Sequence, residues 1–307
     1  MSATPGQDSA ADPNARERDQ VLRFVIEGTP IRGQWVSLDA SWRKCSENSE
    51  ADPRARQMLG EALAAVTLLA QSLKIDGGQI TLQIRGQGPV HLLVAQATRE
   101  RSLRGLVRQS AELPAGDVDL ERLFGATQIV LTIDQGQGEP HQGIVPLKGR
   151  RISDALQHYF ETSEQLPTRL WLADDDHSAA GLLLQRLPGE LEDEDAWNRI
   201  GKLADTVTDE ELLRLPAMTL LHRLFHEEDL RLFDAEPLRF NCGCSRERIG
   251  RVIQSLGRDE AEDIIGEQGV IRVTCEFCNA RHDFDAIDVA GLFEDATRST
   301  PPTPTRH

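Results

Sequence analysis

Two short cysteine pairs near the C-terminus, Cys242-Gly-Cys244 and Cys275-Glu-Phe-Cys278 with thirty residues between them, constrain the fold of this chain more than any other feature. Bringing four sulfurs to one point forces the intervening segment into a compact unit with both pairs at the same end. Soft sulfur donors in a closed set of four favour zinc over magnesium or calcium, and a filled tetrahedron leaves no open position for catalysis. We therefore expect Cys242, Cys244, Cys275 and Cys278 to hold one zinc ion per chain. Between the pairs, Ile249, Val252, Ile253 and Leu256 predict a helix from about Ser245 that Gly257 stops. Ala261, Ile264 and Ile265 predict a second helix before Gly266, and Val270–Thr274 with Arg281–Phe284 a hairpin that delivers Cys275. A module of about fifty residues buries little apolar surface. Zinc binding, on the order of 10–16 kcal/mol in small zinc domains, would supply much of its folding energy.

The net charge of −16 argues against a nucleic-acid partner, which calls for a basic face. The zinc region is no exception, with six basic against nine acidic residues from Cys242 to Asp285. No membrane partner is expected either: the longest charge-free apolar run, Ala62–Leu73, has twelve residues and is too short to span a bilayer. Met1–Gln20 has no apolar core and does not read as a secretory signal. These features predict a cytoplasmic protein in a compartment that keeps thiols reduced. Clustered cysteines there mean metal binding or redox sensing rather than a disulfide framework. Two roles stay open for the four sulfurs, a purely structural zinc site and a redox switch whose thiolates are attacked by oxidants with loss of the metal.

The 307 residues divide into five stretches: a tail over 1–20, a mixed α/β (α+β) core domain over 21–188, a charged helical linker over 189–240, the zinc module over 241–294 and a Pro-rich tail over 295–307. Both tails are expected to be disordered. In the core, Val21–Leu38 alternates with a break at Gly28-Thr29-Pro30. Asp52-Pro53 opens a helix through Leu73 that is apolar around its girth and so predicted to be buried. Strands are expected around Ile80–Ile84, Val90–Ala95, Gln128–Ile133, Gly143–Leu147, Arg169–Ala173 and Ala180–Gln185, with a helix capped by Ser153 and running to about Glu164. The linker carries fourteen acidic and six basic residues between Glu190 and Phe240, with apolar stripes Trp197/Ile200/Leu203/Val207 and Met218/Leu221/Leu224/Phe225. Thr208-x-x-Glu211 is a capping box before Leu212, Leu213 and Leu215. Helices this short are marginal without packing, so the pattern leaves open an ordinary charged connector or a metastable segment. Trp197, Leu213 and Phe225 are its candidate switch and client-binding residues.

Other candidates carry less. Gly86-x-Gly88 and Gly136-x-Gly138 neither open a helix nor lead into Gly-Lys-Ser/Thr, so they read as hairpin turns and not phosphate loops. His222 and His226 lie four apart on a predicted helix but lack a third ligand, and His282 has no place in a filled tetrahedron. Cys45 reads as a packed or partly exposed thiol. With no hydrolase, metalloprotease or dinucleotide motif, no catalytic residue is assigned and the chain is not expected to be an enzyme.

The run Asn241-Cys-Gly-Cys-Ser-Arg-Glu-Arg248 followed by Thr274-Cys-Glu-Phe-Cys-Asn279 resembles the zinc-binding end of the 33-kilodalton redox-regulated heat-shock chaperone family. Tyr159–Arg169 and Leu220–Glu228 carry the same likeness, which runs from about Val21 to Phe293. The resemblance implies an ATP-independent holdase, zinc-bound and inactive when reduced, that binds unfolded or partly folded client proteins once oxidised. It implies disulfides Cys242–Cys244 and Cys275–Cys278 in the oxidised form, an unfolding linker and a possible homodimer. Two other classes remain beside it: a constitutive zinc-ribbon adaptor indifferent to redox state, and a thiol oxidoreductase, although neither cysteine pair sits in a thioredoxin-like βαβ pattern.

Overall fold

A computed structural model describes residues 19–298 apart from 48, 73–76, 137, 164, 190–192 and 194. The described residues form two compact units that divide between Asn241 and Cys242.

The first unit opens with an antiparallel pair, β1 (Gln20–Ile26) and β2 (Ile31–Leu38), followed by α1 (Ala40–Ser46) and α2 (Pro53–Ser72). Next come β3 (Gln79–Arg85), β4 (Val90–Thr98), β5 (Ser102–Gln109), α3 (Leu120–Phe124), β6 (Gln128–Asp134) and β7 (His141–Pro146). The chain continues through α4 (Ile152–Thr162), β8 (Thr168–Asp174) and β9 (Ala179–Arg186). Three helices follow, α5 (Ala196–Ala204), α6 (Asp209–Arg214) and α7 (Ala217–Phe225), and three short strands, β10 (Leu230–Leu232), β11 (Glu236–Pro237) and β12 (Arg239–Phe240). One sheet has the order β10-β1-β2-β9-β8 with β11 also on β1, and the other β12-β5-β4-β3-β6-β7.

Helix α2 lies between the two sheets, against β2, β8 and β9 on one side and β3, β4 and β5 on the other. This explains its composition: a helix walled by two sheets has no polar face to spare, and its residues from Met58 to Gln71 are all buried. Its approach to the first sheet is so close that a Cβ at Gly181 would stand 2.9 Å from Leu68. The first sheet is apolar on both faces. Leu183 and Val36 face α2, whereas Leu22, Phe24, Ile26, Trp35, Leu182 and Leu184 face outward and are covered by α5, α6 and α7.

Several expectations need correction. The segment predicted as a helical linker is helical only to Phe225, and its last part is extended, with β10 and β11 extending the first sheet and β12 the second. Strands of two or three residues carry no readable period. The tail drawn over 1–20 ends earlier: Gln20 begins β1, and the Asp19 carboxylate accepts from the backbone N–H of Asp39, Ala40 and Ser41 at the start of α1. Helix α4 starts at Ile152, so Ser153 lies inside it, and Asp154 takes the N–H groups of Arg150 and Arg151. Met218 points outward, leaving Ala217, Leu220, Leu221, Leu224 and Phe225 as the buried face of α7. Leu73, Glu164 and Glu190, named above as element bounds, lie outside the described residues, as do residues 1–18 and 299–307.

The second unit contains α8 (Arg246–Leu256), α9 (Arg258–Gln268), the antiparallel hairpin β13 (Ile271–Thr274) and β14 (Arg281–Phe284), and α10 (Ala286–Arg298). Its core is small: Ile253, Ala261, Ile271, Phe284 and Val289 are the buried apolar residues clustered there. Helix α9 passes through Gly266 and ends at the left-handed Gly269, three residues beyond where a stop at Gly266 would place it. Helix α10 was not expected, and it continues past the boundary drawn at 294 into the stretch assigned to the tail.

Candidate metal centre

The four cysteines of the two pairs meet at one place. Sγ of Cys242 lies 3.3 Å from that of Cys275, Sγ of Cys244 lies 3.4 Å from that of Cys278, and all four sulfurs fall within 4.8 Å of one another. They are not bonded in pairs, since disulfide sulfurs sit about 2.05 Å apart. A tetrahedral ion with sulfur ligands at 2.3 Å has ligand–ligand edges of about 3.8 Å, which this spacing matches. Cys242 is buried and the other three are half-buried, so the cluster can take a metal without exposing it broadly.

Local backbone geometry aims the sulfurs. In the first pair, Gly243 has φ +64°, a left-handed conformation that bends the chain so that Cys242 and Cys244 face the same point. The Arg248 guanidinium donates to the Gly243 carbonyl at 2.9 Å and fixes that bend. In the second pair, a turn is closed by the Asn279 N–H on the Cys275 carbonyl at 2.8 Å and the Cys275 N–H on the Ala280 carbonyl at 2.9 Å. Burial opposes ionisation of Cys275, but backbone N–H groups of Cys278 and Phe277 directed at its sulfur, together with the Cys242 and Cys278 side chains, outweigh it and pull the thiol down to about 7. Burial and neighbouring sulfurs push Cys242 and Cys244 up, so these two lean on a metal cation to become thiolates.

The Ser-Arg-Glu-Arg run that follows Cys244 is structural at each polar position. Ser245 caps α8 by accepting from the Arg248 N–H at 3.2 Å, and its hydroxyl donates to Glu247. Arg246 crosses the module: it donates to the Asp283 carbonyl at 2.7 Å, pairs with Asp288 at 2.6 Å and lies 4.3 Å from the Phe284 ring centroid. Arg246 thus ties the first cysteine pair to the hairpin that carries the second. Sequence reading missed this, because Asp288 stands on the unforeseen α10.

The family model described as Hsp33 protein matches residues 19–285. The chain belongs to the Hsp33 family. A 33 kDa chaperonin of Nitrosococcus oceani is 47% identical over 290 residues, covering 94% of this chain and 99% of the relative. A 33 kDa chaperonin of Methylobacillus flagellatus is 45% identical over 278 residues, covering 90% and 94%. The crystal structure of the Thermotoga maritima 33 kDa chaperonin has a TM-score of 0.77 at 24% identity, spans 92% of this chain and 100% of its own, and shares its fold.

The remaining candidates fall as follows. Phe225 is 1% exposed and its ring lies 6.0 Å from that of Phe24 on β1; Leu213 is buried in the same cluster. Trp197 packs at the edge of that cluster, with the Arg169 guanidinium 5.8 Å from its ring. Cys45 is buried on α1 in the core of the first unit and is not one of the clustered sulfurs. His222 and His226 are exposed with ring centroids 6.1 Å apart, and neither belongs to the one metal-competent cluster among the described residues. Among those residues no helix is long and apolar enough to cross a membrane.

Proposed function

We propose that this chain is a redox-regulated, ATP-independent chaperone that holds unfolded or partly folded proteins when oxidised. The observation that carries the reading is the convergence of four sulfurs in a module with only a handful of buried apolar residues of its own. Bound zinc would keep the four sulfurs as thiolates and tie the two pairs together. Oxidation starts when one thiolate gives an electron pair to a peroxide, yielding a sulfenic acid and hydroxide. A second thiolate then attacks that sulfur and displaces hydroxide, leaving a disulfide. By resemblance to the family, the products are Cys242–Cys244 and Cys275–Cys278. Sulfurs so paired no longer serve as ligands, and the small core lacks the means to hold the module by itself.

In this reading residues 21–188 are the core domain, 189–240 the switch segment and 241–294 the redox module. Cys242 follows the last residue of β12 by two positions, so unfolding of the module frees the end of the segment. Withdrawal of α5, α6 and α7 would bare Leu22, Phe24, Trp35 and Leu182, an apolar sheet face suited to client chains, and would free the helices' own stripes. The family likeness extends the reading to a homodimer in the oxidised form, and the net charge of −16 with only short apolar runs extends it to a cytoplasmic protein with no nucleic-acid or membrane partner.

The test compares reduced, zinc-loaded protein with peroxide-treated protein against a heat-denatured client, following light scattering and zinc release together. Suppression of aggregation should appear only after oxidation, in step with metal loss. Equal suppression by both forms would favour a constitutive zinc-binding adaptor, and catalytic turnover of a disulfide substrate would favour an oxidoreductase.

A further inference from the structure

A second site lies in the first unit, where Arg32 on β2 reaches the end of an apolar cavity of about 190 Å³. Its walls are Leu69 from α2, Ile80 from β3, Leu131 and Ile133 from β6, and Tyr159 and Phe160 from α4. No aspartate or glutamate lines it, in a chain with 50 acidic residues. Arg32 is half-buried, and no ion pair to it occurs among the described residues. Burial draws its guanidinium downward with no acid to offset the cost.

The guanidinium is held in one orientation. Its Nε and Nη2 both donate to Oε1 of Gln185, the former at 3.0 Å. Gln185 is buried and fixed in turn by donating through Nε2 to Thr168 Oγ1 at 3.0 Å, and the Thr168 hydroxyl donates to the Leu166 carbonyl at 2.9 Å. This relay occupies one edge of the fork. The other edge, Nη1 with the second proton of Nη2, keeps the geometry that matches a carboxylate bidentately. A positioned cation without a counter-ion, beside an apolar void, describes one kind of ligand: an anionic head on a short apolar body. The volume is on the scale of cavities that admit benzene, which limits the apolar part to a small chain or ring.

We propose that this cavity binds a small amphiphilic carboxylate, a short-chain fatty or aryl-alkyl acid, with its carboxylate on the free edge of Arg32 and its apolar part between β6 and α4. The site is separate from the sulfur cluster and does not depend on the redox reading.

The test titrates reduced, zinc-loaded full-length protein with octanoate, with octan-1-ol and acetate in parallel, following binding by calorimetry and residue-resolved NMR shifts. Octanoate should saturate one site and move the signals of Leu131, Ile133 and Tyr159, whereas acetate should not bind measurably. Arg32→Gln should weaken octanoate at least tenfold and leave octan-1-ol unchanged, and Ile133→Trp, at a half-exposed wall position, should exclude both. The unsubstituted protein alone can overturn the proposal, by showing no saturable octanoate binding or shifts confined to other regions. Equal retention of octanoate by Arg32→Gln would also overturn it. So would tighter binding of a short peptide ending in leucine than of octanoate, which would assign the cavity to chain termini instead.

Discussion

Arg246 stands outside the four clustered cysteines, yet its contacts place it to govern how well they could hold a metal. Its contacts to Asp283, Asp288 and Phe284 join the start of α8 to the hairpin and to α10, and so hold the two cysteine pairs in register. Residues that orient metal ligands from behind typically change affinity 10–100-fold when replaced. Because Arg246 is about half exposed, its ion pair is weak and the carbonyl and ring contacts matter more. Arg246→Gln should therefore lower zinc affinity by about tenfold, near the bottom of that range, measured by competition with a chromophoric chelator. Unchanged affinity would reduce the arginine to a surface residue. The meeting of the four cysteines was legible because two tight pairs of one soft residue are rare by chance, whereas Arg246 could be read only as part of a motif, since Asp288 lies on a helix with no strong sequence signal. Asp174 was equally hidden. It ends β8 beside Glu61 and Asp175, with Arg151 and Asp209 also acting on it, and its Oδ2 is buried without a hydrogen-bond partner. Burial, reinforced by the neighbouring acids, raises its pKa from 3.8 to about 8. The folded protein thus keeps a proton there that the unfolded chain releases, so this group's stabilisation is complete below pH 3.8 and is lost as pH rises through about 8. Asp174→Asn should flatten that slope and gain at least about 1 kcal/mol at pH 8.5 relative to pH 6, read from urea unfolding. An equal change at both pH values would show that Asp174 is ionised throughout.

At the level of elements, the buried α2 and most strands of the two sheets could be read from period and composition. Strand β5 escaped notice because Gly105 interrupts its inward stripe of Leu103 and Val107 and leaves no clean alternation. The segment after β9 was half legible: its apolar stripes predicted helices, but nothing in the sequence said what they cover. The answer is the outer face of the first sheet, and this makes a quantitative expectation possible. Short, acidic helices have little stability of their own, so their order rests on that face and on pairs such as Arg169 with Asp205 at 3.0 Å and Arg151 with Asp209 at 3.6 Å. Phe225 is nearly fully buried against Phe24, and removing such a ring commonly costs about 3–5 kcal/mol. Phe225→Ala should raise hydrogen exchange from Trp197 through residue 225 in the reduced, zinc-loaded protein and bring client binding in the absence of oxidant. If exchange rises while the protein stays inactive, exposure of this sheet face is not sufficient for holding clients. If oxidation activates the unsubstituted protein with protection of α5–α7 intact, the segment is not the switch.

For the molecule as a whole, the two units stand very differently with respect to their own cores. The first has two sheets packed around α2 and a second apolar layer under α5–α7, so its stability needs no metal. The second gathers three helices and a hairpin around Ile253, Ala261, Ile271, Phe284 and Val289. Its surface ion pairs, such as Arg281 with Asp283 and Arg258 with Glu262, contribute little in water. A structural zinc site contributes on the order of 10–16 kcal/mol, far more than a core of this size can replace. Chelation of the reduced protein should accordingly unfold residues 242–298 as a unit and leave the first unit's core folded. Limited proteolysis with and without chelator checks this: new cleavage should cluster beyond Cys242 and leave a stable fragment that contains the two sheets. Restoring zinc under reducing conditions should return resistance, because neither disulfide has formed and the ligands are still thiols. A module that stays protected without metal would mean that the four sulfurs decorate an independently stable fold. Oxidation would then have no energetic lever on the rest of the chain. Cleavage that spreads at once into β8 and β9 would mean instead that the units share one cooperative transition, and that loss of the metal threatens the whole chaperone rather than one end of it.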